Sequence, residues 1–120
     1  MKQQLAQGTA EVFGIEMAVN REYVFSGSSK AAVFSWYGCT LNSRGEAEGY
    51  VATDTPMVSY VNVHAMVEQR REQAASSGGA GPRVLIAGPV DAGKSSLARI
   101  LLAYGVRMGR KPLYVDLDVG

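Results

Sequence analysis

The sequence predicts two unlike parts. Residues 1–57 read as an incomplete all-β sandwich. Residues 58–120 read as a connecting helix, a linker and the first βαβ unit of a truncated α/β domain. Three observations carry this. Short β-prone runs separated by turn clusters fill the first half. The apolar period changes to that of a helix near Val61. A β-prone run, a Gly-rich loop and a helical run then follow one another between Arg83 and Met108.

In the first half the β-prone runs are residues 10–13, 23–25, 31–36, 40–42 and 49–52. The clusters Ser26-Gly27-Ser28-Ser29 and Asn42-Ser43-Arg44-Gly45 are expected to turn the chain between them. A sandwich of this kind usually has about seven strands, so this one is expected to lack its first. In the second half Val63, Met66, Val67 and Ala74 fall on one helical face, with Glu68, Arg70, Arg71 and Glu72 on a solvated one. Ser76-Ser77-Gly78-Gly79-Ala80-Gly81-Pro82 reads as a flexible linker. A strand is expected over 84–87. The following helix has its stripe of Leu97, Ile100, Leu101, Tyr104 and Met108 turned to a sheet. Arg107, Gly109, Arg110, Lys111 and Pro112 are stop signals: cations at the negative helix end, a Gly and a Pro. A second strand is expected over 113–117. Two strands bury too little to stand as a sheet, so the chain is expected to be a fragment or a truncated gene product.

Composition narrows the function classes. With 47% hydrophobic and 19% charged residues the chain is expected to fold rather than to stay disordered. A net charge of +1 gives no global field for nucleic acid or an anionic membrane, so any RNA-binding surface must be local. The single cysteine, Cys39, excludes an internal disulfide and reads as a small buried residue. No apolar run reaches the roughly 20 residues of a membrane span, and Met1-Lys2-Gln3-Gln4 does not open a signal peptide. An intracellular protein without membrane contact is the expectation.

The chemistry sits in Gly88-Pro89-Val90-Asp91-Ala92-Gly93-Lys94-Ser95, which is G-x-x-x-x-G-K-[ST], the phosphate loop of nucleoside-triphosphate-binding proteins. Gly88 and Gly93 permit backbone angles that turn the N–H groups of residues 91–96 toward phosphate oxygens. The helix starting near Lys94 adds its positive N-terminal end. Lys94 is placed for the β- and γ-phosphates, Ser95 for Mg²⁺ and Ser96 for the α-phosphate. A dinucleotide site is disfavoured, because G-x-G-x-x-G is absent. Asp118, at the C-terminal end of the second expected strand, is the candidate to hold the Mg²⁺ water shell or to accept a proton from an attacking hydroxyl. Asp116 points to the same face but lies deeper. The second part is thus the start of a P-loop NTPase domain.

Both halves together resemble a family. The residues that carry the likeness are Gly8-Thr9-Ala10-Glu11-Val12-Phe13-Gly14, Lys30-Ala31-Ala32-Val33-Phe34-Ser35-Trp36-Tyr37-Gly38-Cys39, Asp54-Thr55-Pro56-Met57, Gly81-Pro82-Arg83-Val84, the phosphate loop through Ser96, Arg107-Met108-Gly109-Arg110-Lys111-Pro112 and Val115-Asp116-Leu117-Asp118-Val119-Gly120. They resemble the eukaryotic polynucleotide 5′-hydroxyl kinases of the pre-mRNA cleavage complex. These are cleavage/polyadenylation factor subunits that also associate with tRNA splicing endonuclease. The resemblance implies an N-terminal β-sandwich, a central P-loop kinase domain and a C-terminal domain, with ATP and Mg²⁺ as cofactors and the nucleus as location. It implies transfer of the ATP γ-phosphate to an RNA 5′-hydroxyl by the full-length protein, with the 120 residues alone inactive. On this resemblance the nucleotide-binding residues fall on Asp91, Ala92, Gly93, Lys94, Ser95 and Ser96, a nucleotide-contacting sandwich lysine on Lys30, and the residue that aids hydroxyl activation on Asp118. The family's lid arginines and RNA clasp have no counterpart here. Some members keep ATP but have lost the reaction, so a scaffold with structural ATP stands beside the kinase reading. An unrelated ATPase or GTPase is the third.

Overall fold

The computed structural model describes residues 1–27, 29–46 and 48–117. It divides into two compact units, Met1–Thr53 and a second that begins at Asp54.

The first unit is built from six strands: β1 (Lys2–Gly8), β2 (Glu11–Val12), β3 (Ile15–Glu16), β4 (Glu22–Val24), β5 (Val33–Phe34) and β6 (Cys39–Arg44). They form two antiparallel three-stranded sheets, ordered β4-β1-β6 and β3-β2-β5. Leu5, Ala10 and Met17 are buried between them, packed by Tyr23 and Leu41 from the first sheet and Val12 and Val33 from the second. Inner faces from both sheets share one core, which is the sandwich arrangement.

The central strand β1 is absent from the sequence reading, because Lys2-Gln3-Gln4-Leu5-Ala6-Gln7 shows no apolar alternation. Only Leu5 is fully buried. The strand is instead held by partners on both edges. Lys2 faces Val24 on one side and Arg44 on the other, and the ladder to β6 slips once between Leu5 and Gln7. Its last residue, Gly8, has φ +82°. An added Cβ there would lie against the Gly38 carbonyl oxygen and 2.9 Å from the Cys39 Cα. Glycine is required at that approach.

Several boundaries move. The expected strand 10–13 ends at Val12, because Phe13 (φ 48°) and Gly14 (φ 80°) form the two-residue turn into β3. Asn42, Ser43 and Arg44 do not turn the chain but continue β6, paired with Gln4, Gln3 and Lys2. The run 31–36 narrows to Val33–Phe34. Beyond it the Ser35 hydroxyl donates to the Thr9 carbonyl (2.6 Å) and accepts from the Gly38 N–H (2.8 Å), which closes a loop. Residues 49–52 are not a strand, and Tyr50 and Val51 are exposed. Cys39 is exposed at the start of β6, not buried.

The second unit contains α1 (Met57–Ser77) and α2 (Lys94–Arg107). Helix α1 starts four residues before Val61: the Thr55 hydroxyl accepts the Met57 N–H (3.3 Å), and Tyr60 N–H donates to the Pro56 carbonyl. Ser76 and Ser77 form its last turn rather than a linker, and Gly78 closes it in the left-handed conformation. Helix α2 ends as its stop signals predict. Gly109 has φ +79°, its N–H donates to Val106, and the Arg110 N–H donates to Gly105. This paired return is a Schellman motif. Ile100 and Tyr104 are buried where α2 packs on α1, and the Tyr104 ring meets His64 edge to face at 5.3 Å. The stripe is therefore covered by a helix, not a sheet, and Met108 at its end is exposed. Residues 84–87 and 113–117 carry no strand assignment. Their local β-preference has no ladder partner among the described residues, and a strand exists only through its partner. No helix of the described residues is long and apolar enough to cross a membrane.

Candidate phosphate-binding site

The expected loop lies directly before α2. Asp91 has φ 61° and Gly93 φ 87°, both left-handed. Aspartate tolerates that region because its short side chain bonds locally. Gly93 caps α2, and its carbonyl accepts the Leu97 N–H at 3.0 Å. No side chain caps this end, and the first turn carries no acidic residue. The first N–H groups of a helix have no partner within it. The start of α2 at Lys94, Ser95 and Ser96 is thus a cluster of donors at the positive end of the helix dipole. Residue 88 lies against the same loop: a Cβ there would be in ordinary contact with Ala92 and the Lys94 stem at 3.7 Å. The Lys94 ammonium bends over the loop and donates to the Pro89 carbonyl at 2.6 Å. A triphosphate needs this donor set: uncapped amides, a lysine ammonium over the loop and no carboxylate in the first turn of the helix. The residues present fit ATP.

Asp91, Ala92, Gly93, Lys94, Ser95 and Ser96 are thus brought together in one loop and helix start. Lys30 lies in the other unit, exposed in the connection between β4 and β5. Asp118 falls outside the described residues. Among the described residues no three His, Cys, Asp or Glu side chains gather to hold a metal. Mg²⁺ in such sites takes few protein ligands and keeps the substrate phosphates and waters, which leaves Ser95 as its described candidate.

One cluster is missing from the sequence reading. Glu68, expected on a solvated face, is buried. Its Oε2 accepts from Arg71 Nη1 at 3.1 Å. Its Oε1 accepts from Arg110 Nε at 2.7 Å and Nη2 at 2.5 Å. Met57 and Glu68 are the buried residues of α1, and Val63, His64, Val67, Arg71 and Ala74 are half-buried beside them. Of the expected apolar face only Met66 is exposed, while Glu68 and Arg71 cross over from the expected solvated set. The Glu68–Arg71 spacing of three is legible in sequence. The Arg110 link, made across 42 residues by the Schellman turn, is not. The Arg110 hydrogen bond, with help from Arg71, holds the Glu68 carboxyl below the usual carboxylate range against the opposing effect of burial. The same bond raises Arg110. His64 is lowered, first by burial and then by Arg71 and Arg107, with Glu68 opposing.

A β-sandwich followed by a phosphate loop at the start of a helix defines a P-loop protein with an N-terminal β-domain. Residues 1–74 match the N-terminal beta-sandwich domain of polyadenylation factor, and residues 88–120 match the mRNA cleavage and polyadenylation factor CLP1 P-loop. The chain belongs to the CLP1 polyadenylation-factor family. It is 52% identical over 118 residues to the polyribonucleotide 5′-hydroxyl-kinase Clp1 of Xenopus tropicalis and 48% identical over 118 residues to that of Homo sapiens. Each alignment takes in 98% of this chain, and the chain spans 27–28% of the length of these relatives. Among solved structures, the complex of wild-type Clp1p with Pcf11p aligns with a TM-score of 0.65 at 26% identity, covering 91% of this chain and 25% of that one. The family expected from the resemblance, and the N-terminal β-sandwich followed by a P-loop segment expected from the sequence, are thereby established.

Proposed function

We propose that the segment binds ATP through its phosphate loop and serves, in the full-length protein, the transfer of the ATP γ-phosphate to the 5′-hydroxyl of RNA. The observation that carries this is the uncapped start of α2 behind the left-handed Gly93, with Lys94 over the loop. ATP supplies the transferred phosphoryl group, and Mg²⁺ neutralises charge between its phosphates. The amides of residues 91–96 orient the phosphates. Lys94 exchanges its bond to the Pro89 carbonyl for the β- and γ-phosphate oxygens. The Ser95 hydroxyl ligates Mg²⁺, and Ser96 bonds the α-phosphate. Asp118 accepts the proton of the attacking 5′-hydroxyl and shares in holding the metal shell. Lys30 contacts the nucleotide from the sandwich. The relatives' names support the RNA 5′-hydroxyl as acceptor. The Clp1p–Pcf11p complex supports a cleavage/polyadenylation factor subunit as partner. Association with tRNA splicing endonuclease and a nuclear location complete the proposal, on the resemblance alone.

The test is isothermal titration of ATP with and without Mg²⁺ into the chain and its Lys94→Ala variant, beside a 5′-phosphorylation assay of a 5′-hydroxyl RNA by a longer family member carrying this segment. The expectation is ATP binding lost on Lys94→Ala, and transfer lost on Asp118→Ala with ATP retained. ATP binding with no transfer by the longer protein would select the structural-ATP scaffold.

A further inference from the structure

A second basic site lies away from the phosphate loop, at the far end of α2. The last turns of α1 and the segment after α2 border a shallow, open cleft of about 290 Å³, lined by Arg71, Arg110, Lys111, Gly79, Gly81 and Pro112 among others. Its two arginines are not loose surface groups. Glu68 sits buried beneath them and grips both guanidinium groups, so their orientation is fixed. Arg110 spends Nε and Nη2 on Glu68, which leaves Nη1 as a donor pair. Arg71 spends Nη1 and lies flat over the α2 backbone, its Nη2 3.3 Å from where a Cβ on Gly105 would stand. Lys111 is exposed and pairs with no carboxylate among the described residues. Against these three cations stand Glu68 and, acting on Arg110, Glu72. The excess of one positive charge is local, in a chain whose total is +1.

We propose that this cleft is a subsite for one backbone phosphate of single-stranded RNA. With their forks held by Glu68, the arginines offer single fixed donors, Nη1 of Arg110 and Nη2 of Arg71, beside the exposed Lys111 ammonium. Together these suit one phosphate rather than a bidentate grip. The flanking Gly79 and Gly81 carry no side chain, so a sugar-phosphate chain can approach closely. No aromatic side chain lines the cleft, so nothing there stacks on a base, and the subsite reads backbone without sequence. The choice of RNA over a phosphopeptide rests on the proposed function of the phosphate loop. The cleft itself belongs wholly to the second unit.

The test uses the chain with saturating ATP and a labelled 5′-hydroxyl RNA dodecamer, followed by fluorescence anisotropy across a salt series. Lys111→Gln is the informative variant, because it leaves the Glu68 grip intact. Each phosphate contact on a single strand contributes a slope of about 0.7 in log K against log salt. Lys111→Gln is expected to weaken RNA binding several-fold, to lower that slope by about this amount, equally for different base sequences, and to leave ATP affinity unchanged. An unchanged slope and affinity would overturn the subsite, as would no RNA binding by the wild-type chain at low salt. A phosphopeptide that displaces the RNA at equal concentration would overturn the assignment to RNA. Lys94→Ala separates the two readings: loss of ATP binding with the RNA slope retained supports the cleft as an independent site. Wild-type chain that binds RNA but no ATP would remove the phosphate-loop reading and leave the cleft standing.

Discussion

The two units use opposite kinds of sequence to opposite effect. In the first, the polar run Lys2-Gln3-Gln4-Leu5-Ala6-Gln7 is the central strand of a sheet. In the second, the apolar runs 84–87 and 113–117 carry no strand at all. A strand is made by what lies beside it. β1 has β4 and β6 on its two edges and places one side chain, Leu5, at the core. Residues 84–87 have the β-branched composition but no described neighbour. The second unit is instead held by a helix pair and by the Glu68–Arg71–Arg110 cluster, an electrostatic clasp where the first has a shared apolar core.

The difference can be measured, because the reporters separate. The single tryptophan, Trp36, lies in the first unit, and both helices lie in the second. The largest expected effect is Gly8→Ala. It combines a left-handed backbone with a Cβ driven into the Gly38 carbonyl, for a loss of about 2–4 kcal/mol. The Trp36 fluorescence transition is expected to fall sharply in temperature while helical far-ultraviolet dichroism melts near its original point. Next comes Ile100→Ala, at about 2–4 kcal/mol at most for a buried aliphatic truncation and less where the α1–α2 layer can close over the gap. It should lower the dichroism transition and leave Trp36 unmoved. Glu68→Gln should shift the same transition by less, since the amide keeps the shape and one acceptor for the arginines but loses the charge.

The smallest effect is in pH. Glu68 and His64 both titrate below their ordinary values in the folded chain. For each, the folded state disfavours the proton, so its contribution is fully present above the unfolded value and is lost as pH falls through the folded one. The His64 part is lost on going below about pH 6.5, and the Glu68 part below about pH 4.5. The helical transition should therefore fall in two stages on acidification. His64→Gln should remove the first stage and keep the second, as thermal melts across pH would register.

Much of this was legible in sequence, for physical reasons that differ by element. The phosphate loop was, because its chemistry is local: eight consecutive residues fix the turn, the helix start and the lysine. The stop of α2 was too, since Gly109 and Pro112 act on their own backbone. The sandwich core was only half legible, because β1 is specified by its neighbours rather than by its own alternation. The inward face of α1 was legible in Val63, Val67 and Ala74 but not in Glu68, which joins it once Arg110 returns from 42 residues away to neutralise it. The cleft followed the same blind spot: Arg71 reads as a solvated charge and Arg110 as a helix-end cation until Glu68 is seen beneath them.

The central claim is that the start of α2 is an ATP site in which Lys94 gives up the Pro89 carbonyl for phosphate oxygens. The most direct measurement is the helical melting temperature of the chain and of Lys94→Ala, each with and without excess Mg²⁺-ATP. A bound ligand at 100 times its Kd stabilises by about 2.7 kcal/mol. The account predicts a rise for the wild-type chain and none for Lys94→Ala. Equal rises in both, or no rise in either, would contradict it.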